Sequence, residues 1–174
     1  ALLGTLVSVT MYPDAQRALL DEPQTAELLL DLCHYYGAPQ QRSYSSPGGV
    51  DYTPTREPLY PGARARTASL LRNLALLRRN KGRILAQPPL VSFLLDALRA
   101  PPAVVSASAT ALWALVHHSE KARGLVKADG LRAVHAAARA TDDAAAFSRG
   151  SGEDAHHVRA AQRALAHLRA ILAE

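Results

Sequence analysis

Seven cations fall within twenty residues of this chain: Arg64, Arg66, Arg72, Arg78, Arg79, Lys81 and Arg83. Cations at that density bind carboxylates or phosphates of a partner, or keep a helix face solvated. If the run is helical, Arg72 and Arg79 stand two turns apart on one face. Arg78 and Lys81 then fall near the helix end, where a cation meets the negative pole of the macrodipole. Arg72, Arg78, Arg79, Lys81 and Arg83 are therefore candidate partner-binding residues, and an acidic protein surface is the expected partner. No aromatic residue interleaves the run for base stacking and no reader motif appears, which disfavours nucleic acid.

Other chemistry is sparse. His117-His118 and His156-His157 are the pairs that suggest metal, but neighbours on a helix point about 100° apart, and the useful ligand spacing is i, i+4. The acidic pairs Asp142-Asp143 and Glu153-Asp154 lie in polar stretches and read as solvated helix ends rather than acid/base machinery. There is no Gly-x-Ser-x-Gly motif, no phosphate-cradling glycine loop and no base paired with Cys33. The expectation is a chain that is not an enzyme and takes no cofactor, metal or small-molecule substrate. Trp113, between Leu112 and Ala114, reads as a packing residue, with a partner hot spot as the sharper alternative.

The formal charge of +5 is unevenly spread. Residues 1–63 hold 3 Lys/Arg against 7 Asp/Glu, residues 64–140 hold 13 against 3, and residues 141–174 hold 4 against 5. Such asymmetry points to an acidic partner. The single Cys33 excludes an intramolecular disulfide framework and favours a reducing compartment, with the cytoplasm as the expected location. No apolar run reaches the roughly 18–20 uncharged residues of a membrane span, and the first residues lack a basic leader. The chain begins and ends within helical patterns, as a piece of a longer polypeptide would.

The elements that must position these residues are helices. Of the 174 residues, 48% are hydrophobic and only 5% aromatic. Leu and Ala dominate and strand formers are few. Residues 67–98 overlie 108–139 at an offset of 41, pairing Leu71 with Leu112, Leu74 with Leu115, Ile84 with Leu125, Leu90 with Leu131 and Phe93 with Val134. Asn80-Lys81 and Glu120-Lys121 read as breaks between helices, and Pro88-Pro89 and Asp129-Gly130 as the next turn. Residues 2–33 give a weaker copy, in which Leu28-Leu29-Leu30-Asp31 echoes Phe93-Leu94-Leu95-Asp96. A period of roughly 40 residues with two or three helices per copy is that of a helical repeat array.

This reading divides the chain into a degenerate first repeat (1–36), an insertion loop (37–63), a second repeat (64–100), a third (101–140), a linker (141–152) and a closing helix (153–174). The loop is rich in Pro, Gly and Ser. Its Tyr44, Tyr52 and Tyr60 are candidate docking anchors, and a tolerated insertion is the blander reading. In the closing helix Val158, Ala161, Leu165, Leu168 and Leu172 form an apolar stripe that a terminal cap would need.

Leu71-Arg72-Asn73-Leu74-Ala75, with Asn80-Lys81, Ile84 and Leu90-Val91-Ser92-Phe93-Leu94-Leu95, resembles the armadillo repeat, well over residues 64–140 and poorly over 1–33. The resemblance implies an all-α, armadillo/HEAT-like α-solenoid of about three repeats with a C-terminal capping helix. Thr110-Ala111-Leu112-Trp113-Ala114-Leu115-Val116-His117, followed by Lys121-Ala122, is similar to armadillo-like regions of centriole and basal-body proteins. That similarity implies a protein–protein interaction scaffold in a large cytoskeletal assembly at a centriole, basal body or cilium. An armadillo-type adaptor in trafficking or nucleic-acid-associated complexes is the alternative. Armadillo transport receptors hold extended peptides on a ladder of Asn and Trp along successive third helices. Here Asn73 is matched by Ala114 and, in the first copy, Thr5, so no regular ladder is expected.

Overall fold

The computed structural model describes residues 2–22, 24–37, 61–147 and 152–174. Among them it forms nine α-helices and one 3-10 turn, and no strand. The expected all-α class is observed.

Helices α1 (Leu2–Val9), α4 (Pro61–Ala75), α7 (Pro102–Val116) and α9 (Gly152–Ala173) pack side by side in that order. A second row sets α3 (Gln24–Gly37) against α6 (Pro88–Asp96) and α6 against α8 (Glu120–Phe147). Helix α2 (Pro13–Asp21) and helix α5 (Arg78–Leu85) connect the rows, and the 3-10 turn Ala97–Arg99 joins α6 to α7. Pro13, Pro88 and Pro102 open α2, α6 and α7, where a missing N–H costs no helical hydrogen bond.

The centre of the core is α7. Val104, Val105, Ala109, Ala111, Leu112, Ala114, Leu115 and Val116 are all buried, so the helix is apolar on nearly every side, as a helix with neighbours on nearly every side must be. Leu70, Leu71 and Leu74 of α4 and Ala161, Leu165 and Leu168 of α9 close over it. The apolar stripe of α9 is buried while Arg159, Arg163 and Arg169 face solvent. Helix α1 packs Leu3, Leu6 and Val7 onto this core and leaves Leu2 and Val9 exposed.

The four helices of the first row run in the same direction. The end of α4 meets the end of α1 through Asn73, which donates from Nδ2 to Val7 O at 3.0 Å and to Thr10 Oγ1 at 3.2 Å. The last residues of α9 lie beside Trp113 and His117 at the end of α7. Four sets of unpaired carbonyls therefore gather along one edge.

Three sequence expectations change. Asn80-Lys81 do not separate helices but lie inside α5, both buried. The break falls at Leu76-Leu77 instead, so Arg72 on α4 and Arg79 on α5 share no helical face. Asp129-Gly130 is no turn: α8 runs straight through it and on to Phe147, into the stretch read as a linker. Gly130 serves packing, because a Cβ there would lie 2.5 Å from Leu95 Cδ2 of α6. The glycine leaves room for the Leu95 side chain at the cost of about 1 kcal/mol of helix propensity. Residues 38–60, with Tyr44, Tyr52 and Tyr60, lie outside the described residues.

No helix among the described residues is long and apolar enough to cross a membrane. Cys33 is buried on α3, and burial pushes its thiol from 9.0 up to about 12.

Two measurements check this core. Leu112→Ala, at a fully buried position, lowers stability in urea denaturation by about 2–5 kcal/mol, whereas Leu76→Ala, at an exposed turn, stays within about 0.5 kcal/mol. Above pH 9 the unfolded chain releases the Cys33 proton while the folded chain keeps it, so the native state binds more protons and stability falls as pH rises. The loss approaches about 1.4 kcal/mol per pH unit between 9 and 12. Cys33→Ala removes that slope, whatever its own cavity costs.

Candidate functional site

The basic run divides when its residues are traced one by one. Arg64 is buried in α4 with its guanidinium over the Phe93 ring, 5.7 Å from the centroid. Burial lowers its pKa and nearby Asp96 partly offsets that. Arg72 donates through Nε and Nη2 to Asn73 Oδ1, at 3.0 and 2.8 Å. Arg79 and Arg83 converge on Asp21 of α2, at 3.2 and 2.9 Å, and Arg83 also donates to Leu20 O. Arg66 and Arg78 stay exposed.

Lys81 is the unusual member, 6% exposed. Its ammonium donates to Ala114 O at 2.6 Å and to His117 O, so it closes the carbonyl end of α7 from the neighbouring helix. A cation is favoured at that pole. Burial lowers the pKa of Lys81, and the adjacent Arg78 lowers it further. Neutral donors do the same work on α4 and α1. Asn80 Nδ2 donates to Leu74 O at 3.1 Å and Gln16 Nε2 to Thr10 O at 2.7 Å, each reaching back six residues. Asn73 of α4, wholly buried against α1, has no face to offer a bound peptide.

Beyond α7 the backbone turns sharply. His117 caps the helix, and His118 takes a φ of 56°, the left-handed region that glycine usually fills. Ser119 Oγ then accepts from Ala122 N at 3.3 Å as α8 begins. Beside this turn opens a cleft of about 890 Å³, lined by Arg78, Lys81, Gly82 and Leu85 of α5, the turn residues His118 and Ser119, and Glu120, Lys121 and Arg123 of α8. Four cations face one carboxylate there.

A second cavity of about 410 Å³ shares His118 and Arg123 with the first and continues to Trp113, His117, His167, Ala170, Ile171 and Glu174. Trp113 is half-buried, packed on the core from one side and lining this cavity on the other. The His117 ring lies 4.7 Å from the indole and 3.8 Å from His118. Burial holds the pKa of His117 below 6.5, with His118, Lys81 and Arg123 lowering it and Glu174 raising it. The Trp113 and His117 rings give this cavity an aromatic wall, and Arg123 and Glu174 are its charged residues.

Of the sequence candidates, Arg78 and Lys81 reach the cleft while Arg72, Arg79 and Arg83 do not line it. Lys121, Arg123 and His118 complete it, and the sequence hid them because they come from the next copy, forty residues on. The pair His156-His157 opens α9, away from the end that meets His117-His118. Among the described residues no three His, Cys, Asp or Glu side chains are placed to hold a metal ion.

Lys81→Met leaves Ala114 O and His117 O without their charged donor and lowers stability by roughly 1.5–3 kcal/mol. Chemical denaturation at pH 7 checks this, and an unchanged midpoint contradicts the capping role. Set beside protein-family models, curated proteins and solved structures, the chain matches none.

Proposed function

We propose that the chain is an armadillo-like solenoid segment acting as a non-enzymatic protein-interaction scaffold within a larger cytoskeletal assembly at a centriole, basal body or cilium. The observation that carries the proposal is the parallel row α1–α4–α7–α9 with a cationic, grooved edge. Such a row is a rigid support that presents side chains of consecutive units to an extended partner. The repeat offset of 41 residues, the armadillo-like motif around Asn73 and the net charge of the middle segment support it from the sequence side. The run from Thr110 to His117 resembles the C-terminal armadillo-like region of rotatin, a centriole and basal-body protein, and supplies the proposed location. The partners are proteins with an acidic surface, and the role needs no cofactor, membrane or small-molecule substrate.

Affinity capture with the tagged chain from nuclease-treated cell extract at moderate salt tests this reading. The expected result is enrichment of centriolar, basal-body or axonemal proteins over a charge-matched control protein. Recovery that disappears with the nuclease turns the assignment toward a nucleic-acid-associated adaptor, and recovery of no protein above the control removes the scaffold reading.

A further inference from the structure

We propose that the two joined cavities form a single groove that receives a short acidic protein segment, its carboxylates in the cleft of Arg78 and Lys121 and a neighbouring apolar side chain against Trp113. The proposal rests on the scaffold reading above and specifies the partner's chemistry.

The charge distribution selects an anion. Lys81 is spent on the carbonyls of α7, so those carbonyls no longer repel a negative group, and the exposed cations Arg78 and Lys121 remain at the mouth. Arg123 stands where the cavities meet. Its Nη2 lies 3.7 Å from the exposed Glu174 carboxylate.

The second cavity selects an apolar neighbour. Trp113, Ile171, Ala170 and the His117 ring give an aromatic and aliphatic wall at one end of an otherwise polar groove. A half-buried indole already held by the core is a low-entropy anchor for a partner side chain. A nucleic-acid strand suits the groove less well. Glu120 borders the cationic cleft and Glu174 the aromatic end, so a continuous run of phosphates would meet carboxylates at both.

His118 adds an independent observation. It is the one non-glycine residue with positive φ among the described residues, and it stands at the junction of the cavities. Glycine would take this backbone without strain, and such strain is characteristic of binding sites. In its place the imidazole lines both cavities.

Trp113 is the sole tryptophan, so its emission reports directly on the groove. The full chain is titrated with a short, capped peptide of glutamates carrying a single leucine, and the glutamine counterpart serves as control. The expected result is a saturable change in Trp113 emission with the glutamate peptide alone, weakening as salt rises. In Arg78→Glu/Lys121→Glu the affinity drops on the order of tenfold or more. Both positions are exposed, and circular dichroism verifies the fold. His118→Gly folds at least as stably, because it relieves the strained φ, yet binds the peptide more weakly, which separates binding from folding.

No saturable change, an equal response to the glutamine peptide, an affinity unchanged in either variant, or tighter binding of a short oligouridylate overturns the proposal. If extract capture succeeds and the titration fails, the groove assignment falls and the scaffold stands. If capture also fails, the scaffold reading falls with it.

Discussion

Four helices that run parallel in one row set the problem the rest of the chain has to solve. Antiparallel neighbours cancel each other's macrodipoles, whereas α1, α4, α7 and α9 bring their negative ends together along one edge. Each end also leaves carbonyls without helical partners, and burial there is costly unless donors arrive from elsewhere. Donors reach the ends of α1, α4 and α7, some from the segment that follows and some from a neighbouring helix. Gln16 reaches back to Thr10, Asn80 to Leu74, and Asn73 and Lys81 cross between neighbouring helices. Asn73 and Lys81 are each both a cap and a tie, so satisfying the backbone there also fixes one helix of the row against the next.

The basic middle segment has a structural explanation before it has a functional one. Lys81 neutralises a helix end directly, and Arg79 and Arg83 pull α5 toward α2 through Asp21, an exposed interaction worth about 0–1 kcal/mol. Arg64 spends its charge on Phe93 and Asp96. The net charge of residues 64–140 is therefore not a measure of binding capacity. Of the exposed cations that remain, Arg78 and Lys121 stand together at the cleft where α5 faces the start of α8.

How much of this was legible in the sequence depends on whether a residue's role is local. The helical class follows from Leu and Ala periodicity, and the stripe Val158, Ala161, Leu165, Leu168 and Leu172 shows which side of α9 is buried, because both depend on spacing within one helix. Pro13 and Pro88 mark helix starts because proline acts on its own backbone. Gly130 misleads for the opposite reason. Its signal, a glycine after an aspartate, is that of a turn, and only the presence of Leu95 from another helix explains it. Lys81 and Asn80 look like solvated punctuation because their partners, the carbonyls of Ala114 and Leu74, belong to the backbone and leave no trace in residue types.

The same distinction separates the parts of the groove. Arg78 was visible as one cation among seven, but nothing in the run marked it as nearer to Lys121 than to Arg79. That proximity comes from the turn at His117-His118, where the chain leaves α7 and starts α8 beside α5. A glycine at residue 118 would make the same turn more cheaply, since a side chain in the left-handed region costs roughly 1–2 kcal/mol. The stability forgone buys an imidazole held at the junction of the charged and aromatic cavities. The turn that ends the most buried helix thus also decides which cations and which aromatic face form one surface.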